Sequence, residues 1–176
     1  MELEISDYKL RPLTKQVAIK NLVELTRLAN LIPFVEFSPH DILADMKGDR
    51  PLLGKWEHSL VVFDQAKPIA TIYGYERRSE ESVQYPANTL YIAELAVSEH
   101  YQGQGIANQL IQKFLQFNYP KGLLHLDGPL NYSVQTNAAD WNDRVRKLYE
   151  SFGFAVRATE QYDNRTDIVM GMKPKG

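Results

Sequence analysis

Cysteine is absent from the 176 residues, which removes disulfides, thiolate metal ligands and any acyl-cysteine intermediate, and suits a reducing compartment. Histidine is scarce. His40, His58, His100 and His125 form no pair at metal-ligand spacing, so a metal site would have to gather carboxylates through folding, and none is expected. There is no excess of positive charge either: 20 lysines and arginines stand against 22 acids, for a net charge of -2, too little to hold a phosphate backbone, so no nucleic-acid partner is expected. No apolar run is long enough to span a bilayer, and the start Met1-Glu2-Leu3-Glu4-Ile5-Ser6-Asp7 lacks the charged-then-apolar order of a secretory signal. The expectation is a cytoplasmic protein with no membrane contact.

What the chain does hold is ordinary globular material, 44% hydrophobic and 24% charged, enough for one domain over 1–176 with a sizeable core. No repeat, low-complexity tract or linker supports a second domain. Residues Leu3 to Leu13 alternate as an opening strand. Val17 to Leu31 then carries Val17, Leu22, Leu25 and Leu28 at helical spacing. Asp41 to Met46 suits a short helix after the prolines 33 and 39. Ser59 to Phe63, Ile69 to Tyr75 and Thr89 to Val97 form three strands of an antiparallel meander, the first two joined by the turn Asp64-Gln65-Ala66-Lys67.

From Gly105, the apolar positions Ile106, Leu110, Ile111, Phe114, Leu115 and Phe117 predict a helix that stops at Pro120. Leu123 to Leu126 and Ser133 to Thr136 are further strand candidates. Asp143 to Phe152 is an amphipathic helix stopped by Gly153, and Phe154 to Gln161 and Asp167 to Met172 are strands around the turn Asp163-Asn164-Arg165.

The chemistry concentrates where the third meander strand passes through Ser98-Glu99-His100-Tyr101 and Gln102-Gly103-Gln104-Gly105 into a helix. Glycines there let the chain turn sharply and leave no side chains before the first helical amides, which with the helix dipole would hold a pyrophosphate. Two other readings stay open at this level. One is a glycine-rich turn that binds nothing. The other is a dinucleotide site, since Gly103-x-Gly105 lies between strand and helix with Asp127 at ribose-binding distance. Against the second stand Asn108 at the third glycine position, the long strand-to-glycine connection and the antiparallel strands before it.

Two blocks of sequence carry a resemblance to a known family. The first is Glu94-Leu95-Ala96-Val97 followed by Tyr101-Gln102-Gly103-Gln104-Gly105-Ile106-Ala107, with Leu110 beyond; the second is Asn142-Asp143-Arg144-Val145-Arg146-Lys147-Leu148-Tyr149-Glu150-Ser151-Phe152-Gly153-Phe154. In that order they resemble the Gln/Arg-x-x-Gly-x-Gly/Ala signature and the Leu-Tyr-Glu-x-x-Gly-Phe helix of the GNAT superfamily of acyl-CoA-dependent N-acyltransferases. The resemblance is sharp only from Leu90 to Phe117 and from Asn142 to Phe154. It implies an α+β fold in a single domain, a central mixed, mostly antiparallel twisted sheet of about six to seven strands flanked by about four helices. It also implies acetyl-CoA as acyl donor and transfer of an acetyl group to a primary amine of a small molecule or protein.

By resemblance, the main chain of Leu95, Ala96 and Val97 pairs with the pantetheine arm, and the amides of Gln102, Gly103, Gln104, Gly105, Ile106 and Ala107 cradle the pyrophosphate, a geometry that strand addition and helix-terminal anion binding both permit. Tyr149 is the candidate acid for the leaving thiolate, its phenol being protonated at neutral pH; without the motif it would be one more aromatic on a buried helical face. Glu94, an acid inside an apolar strand, is the candidate base, directly or through water, because burial would raise its basicity; it could equally face solvent or pair with a neighbouring strand. The amide near Leu95 would stabilise the oxyanion.

Asn142 is a candidate cofactor ligand and equally a helix cap. Phe34-Val35-Glu36-Phe37 and the Tyr162 to Arg165 turn are candidate acceptor walls, or ordinary packing. The acceptor would be a small-molecule or peptide amine, and a homodimer is left open as an assembly. A different class of protein, a non-catalytic acyl-CoA-binding or regulatory module, would keep the cradle and lack the acid. A dinucleotide-dependent oxidoreductase is the remaining alternative.

Overall fold

The protein was analysed as a computed structural model that describes residues 3–33, 36–44, 54–77, 89–118, 134–139 and 142–173. The strand candidate Leu123 to Leu126, Asp127, His125, Phe34 and Val35 lie outside the described residues. Contacts divide the chain into two compact units, Met1–Tyr75 with Glu94–Phe117, and Glu76–Ala93 with Asn118–Gly176.

In the first unit the opening segment folds as a hairpin, β1 (Leu3–Ile5) and β2 (Tyr8–Pro12), where the sequence suggests one strand. The turn between them needs a left-handed residue, supplied by Ser6 at φ 53°. β2 pairs antiparallel with β3 (Leu60–Asp64), and β3 with β4 (Lys67–Arg77) through the expected tight turn, in which Gln65 has φ 52°. β5 (Thr89–Val97) lies next in the order. The Ser98 amide donates to the Ile69 carbonyl at 2.8 Å, setting the end of β5 against the start of β4, as in an antiparallel meander.

The predicted helix over Val17 to Leu31 is two helices, α1 (Lys15–Lys20) and α2 (Leu22–Ala29). Asn21 causes the break. Its side-chain amide donates to the Val17 carbonyl at 2.8 Å, a local bond that competes with helix continuation. α3 (Pro39–Leu43) starts two residues earlier than expected because Ser38 and Asp41 form a capping box with Pro39 at the first helical position. α4 (Lys55–His58), which the apolar pattern does not announce, is a single turn. The Lys55 ammonium of α4 is buried and donates to the carbonyl oxygens of Asp41 and Ile42, closing the end of α3.

α5 (Ile106–Asn118) follows the glycine-rich loop as expected. Its Ile106, Leu110, Ile111 and Phe114 are buried. A Cβ on Gly74 of β4 would lie 2.6 Å from the Phe114 ring, so this glycine is what admits the helix to the strand.

The second unit carries β6 (Val134–Ala139), parallel to the first half of β5, and then β8 (Thr166–Met172) and β7 (Ala155–Gln161), each antiparallel to its neighbour. The turn between β7 and β8 is closed by Tyr162 N–H to the Arg165 carbonyl at 2.8 Å. α6 (Asp143–Ser151) precedes β7, and Gly153 at φ 92° ends it. The fold class is the expected one: α+β, with strand pairings antiparallel except where β5 meets β6. The described residues hold eight strands and six α-helices where about six to seven and about four are expected, because of the opening hairpin, the break at Asn21 and the one-turn α4.

Candidate functional site

β5 ends at Val97, and a single 3-10 turn, Glu99–Tyr101, carries the chain toward the loop. Its main chain is tied by Tyr101 N–H to the Ser98 carbonyl at 2.8 Å and Gln102 N–H to the Glu99 carbonyl at 3.2 Å. Two glutamine side chains brace the loop from within. Gln102 Nε2 donates to the Val97 carbonyl at 2.9 Å, and Gln104 Nε2 to the His100 carbonyl at 3.3 Å.

Gly103 and Gly105 both have φ 78°, a conformation that costs any other residue about 1–2 kcal/mol. A Cβ on Gly103 would meet nothing within 4 Å, and one on Gly105 only Gln109 Nε2 at 3.9 Å. The glycines are thus required by the turn, and the space in front of them is open. Among the described residues, the amides of Ile106, Ala107 and Asn108 find no acceptor in the preceding main chain or in a side chain. Donors left over at a helix start, behind an open glycine surface, are what a pyrophosphate requires, so the residues present fit the diphosphate end of coenzyme A.

Around this loop the first unit supplies contacts the sequence did not disclose. Tyr8 Oη donates to Gln104 Oε1 at 3.2 Å, and its ring meets that of Tyr101 edge to face at 5.7 Å. Tyr101 Oη donates to Asp64 at 2.7 Å, which holds the Tyr101 phenol above its usual range. Ser6 and Gln109 exchange two bonds, Ser6 N–H to Gln109 Oε1 at 3.1 Å and Gln109 Nε2 to Ser6 Oγ at 2.9 Å. Arg27 of α2 reaches Ser98 Oγ at 3.3 Å.

Glu94, on β5 in the same unit, is buried. Tyr73 on β4 is wholly buried, and among the described residues its hydroxyl meets no hydrogen-bond partner. Burial first, and the Glu94 charge second, push the Tyr73 phenol far above the ordinary tyrosine value. A tyrosine in an apolar strand carries no signal in the alternation pattern, so sequence reasoning passed it by. Thr71, two residues along β4, has a buried hydroxyl in the same condition.

In the second unit, Tyr149 on α6 is 3% exposed and packs edge to face on Phe154, with centroids 5.2 Å apart. Asn142 caps α6, its Oδ1 accepting from Val145 N–H at 3.2 Å. Of the acceptor-wall candidates, Phe37 is buried and its main chain is clamped at both polar groups by Asn30, at 2.6 and 3.0 Å. Arg165 is engaged by Asp167 and lies over the Tyr162 ring at 4.8 Å. Mainly through burial, the Tyr162 phenol is pushed up to about 12. These contacts give packing and turn roles to Phe37 and to the Tyr162 to Arg165 turn.

Among the described residues, no group of three or more metal-ligating side chains is assembled and no helix is long and apolar enough to cross a membrane.

The model of the acetyltransferase (GNAT) family matches residues 22–154. The chain belongs to this family, and the match spans both motif blocks. Membership implies acetyl-CoA as the acyl donor and leaves the dinucleotide reading without support. Solved structures agree on the fold. Ard1 from Thermoplasma volcanium superposes with a TM-score of 0.68 at 19% identity, covering 94% of this chain and 96% of that one. The ribosomal-protein-S18-alanine N-acetyltransferase from Escherichia coli gives 0.66 at 16% identity, with 96% of each chain covered. The diaminobutyrate acetyltransferase EctA from Paenibacillus lautus, in complex with L-2,4-diaminobutyric acid and coenzyme A, gives 0.66 at 13% identity, covering 97% and 98%. A comparison with curated proteins found no match.

Proposed function

We propose that the whole chain works as one cytoplasmic N-acetyltransferase domain, moving an acetyl group from acetyl-CoA directly to a primary amine of a small molecule or a protein. The observation that carries this is the loop 102–105, whose two glycines at φ 78° open onto helical amides without acceptors. The neighbours support both acceptor classes: one is named for acetylating a ribosomal-protein alanine and another was crystallised with a diamino acid.

In this reading the amides of Gly103, Gln104, Gly105, Ile106 and Ala107 hold the diphosphate, while Gln102, whose amide already donates to the Glu99 carbonyl, shapes the loop through its side chain. The pantetheine arm lies along the main chain of Leu95, Ala96 and Val97. Acetyl-CoA supplies an activated thioester. An amine attacks only as the free base, so Glu94 takes its proton, directly or through water, from a buried position where a carboxylate is the stronger base. The Leu95 amide faces the oxyanion. Tyr149 holds a proton at its Oη and gives it to the departing sulfur. Asn142 adds a contact to the donor beyond its capping of α6.

The test is thiol release from acetyl-CoA over a panel of amines, polyamines, amino acids and peptides, with Tyr149→Phe beside the wild type. Turnover by the wild type and a loss of about 10²-fold or more in Tyr149→Phe at nearly unchanged donor affinity is expected. Equal turnover removes the acid assignment. Donor binding without turnover on any amine points instead to a non-catalytic acyl-CoA-binding module.

A further inference from the structure

The glycine-rich loop is braced by an element far from it in sequence. The β1–β2 hairpin contributes Ser6 from its turn and Tyr8 from the start of β2, and these two residues reach the loop and the first turns of α5 across about a hundred positions of chain. Tyr8 Oη donates to Gln104 Oε1 at 3.2 Å, while Gln104 Nε2 donates to the His100 carbonyl at 3.3 Å. The Gln104 amide, between Gly103 and Gly105, is thereby fixed at both ends. One turn into α5, Gln109 closes a two-bond ring with Ser6. Gln109 also donates its own main-chain amide to the Gly105 carbonyl at 3.1 Å, so the side chain that grips Ser6 belongs to the residue whose amide ties α5 back to the end of the loop.

The backbone of Ser6 lies at φ 53°, a sparsely populated conformation for serine that the surroundings must sustain. Its amide and hydroxyl are both spent on Gln109. The edge-to-face contact of Tyr8 with Tyr101, itself anchored on Asp64, adds an apolar stop beside the polar one.

We propose that the β1–β2 turn is a latch that positions the diphosphate cradle, with Ser6, Tyr8, Gln104 and Gln109 as its positioning residues. A loop with two glycines is entropically costly to hold in one shape. Three hydrogen bonds from the hairpin, one to the loop and two to the first turns of α5, join the Gln104 bond to the His100 carbonyl in holding it before the anion arrives, so less ordering is left for binding. The inference rests on the diphosphate reading of the loop, and it adds that this site begins at the first hairpin, not at β5.

The test compares Tyr8→Phe, which deletes the bond to Gln104 and keeps the ring on Tyr101, Gln109→Ala, which deletes the ring with Ser6, and Ser6→Gly, which keeps the Ser6 N–H donor and suits the left-handed backbone. Two quantities are read on each full chain: the dissociation constant of coenzyme A by calorimetry, and amide hydrogen exchange of residues 102–107 against that of β3. Tyr8→Phe is expected to weaken coenzyme A roughly fivefold, one ordinary hydrogen bond's worth, and Gln109→Ala, which loses two bonds, by roughly fivefold to 25-fold. Exchange should quicken at 102–107 with β3 unchanged, and Ser6→Gly, which loses the Oγ bond from Gln109 and keeps the N–H bond, should also weaken coenzyme A by roughly fivefold.

Unchanged affinity in Tyr8→Phe and Gln109→Ala, with or without faster exchange, overturns the latch. So does quickened exchange in β3 to the same degree, which would mark these residues as general supports of the fold. If the wild type itself binds no coenzyme A, the diphosphate reading fails, and the exchange of 102–107 still reports whether the turn orders the loop.

Discussion

Replacing Gly74 by alanine would set a methyl group where the ring of Phe114 already sits. The added Cβ would lie 2.6 Å from Phe114 Cζ and 2.7 Å from Cε2, with His58 Cβ at 3.5 Å on another side. Both partners are shut in, since Phe114 is fully buried, so the ring must shift against the rest of the core. Overpacking of this kind costs about 1–3 kcal/mol, partly offset by the roughly 0.4–1 kcal/mol that alanine gains by restricting the unfolded chain. For a chain of this length each kcal/mol moves the melting temperature by about 2–4 °C. Gly74→Ala should therefore lower it by up to about 10 °C in a calorimetric scan.

Phe114→Leu alone leaves a partial void and also destabilises. In the double variant the new methyl group occupies space the ring has vacated, so the combined loss should fall short of the sum by about 1 kcal/mol or more. Additive losses, or a rise in melting temperature for Gly74→Ala, would refute the account of how α5 seats on β4. That seating matters for function because α5 carries the amides at the end of the glycine loop.

Two further perturbations probe the polar groups. The Asp41 carboxyl is held below its ordinary value of 3.8, chiefly by hydrogen bonds from the Ser38 side chain and main chain. A carboxyl depressed in the folded state contributes stability that is complete above its unfolded value and lost as pH falls through the folded one. The urea midpoint of wild type should thus exceed that of Asp41→Asn near neutrality, and the gap should close in acid below that value; a gap independent of pH would contradict the capping box. Tyr73→Phe removes a buried hydroxyl that meets no partner among the described residues, so it should be neutral or stabilising by about 1 kcal/mol. A clear drop in melting temperature would show that the hydroxyl is engaged.

The sequence made the glycine loop and the motif helix legible because both are local. Gly103 and Gly105 announce a left-handed turn, and Ile106, Leu110 and Phe114 announce the buried face of α5. The helix break at Asn21 was not legible, since apolar spacing runs straight through it and only a side-chain bond to Val17 ends α1. The opening hairpin was hidden for a similar reason: Ser6 has no turn-forming glycine or proline beside it, yet takes the left-handed region with help from Gln109, 103 residues on. Asn142 was legible as a cap, and Tyr149 as a buried helical residue. Tyr73 was invisible, because alternation in a strand records burial and is silent on whether a buried hydroxyl finds a partner.

The central claim is that the loop 102–105 and the start of α5 receive the diphosphate of the acyl donor. Its most direct measurement is calorimetric titration of acetyl-CoA into wild type, Gly105→Gln and Gly105→Glu. Both substitutions carry the same backbone strain at φ 78° and the same size, so the difference between them isolates a negative charge set against the anion. The account predicts binding by wild type, weaker binding by Gly105→Gln, and a further loss of at least about tenfold in Gly105→Glu that eases as salt is added. Wild-type affinity in Gly105→Glu would contradict it.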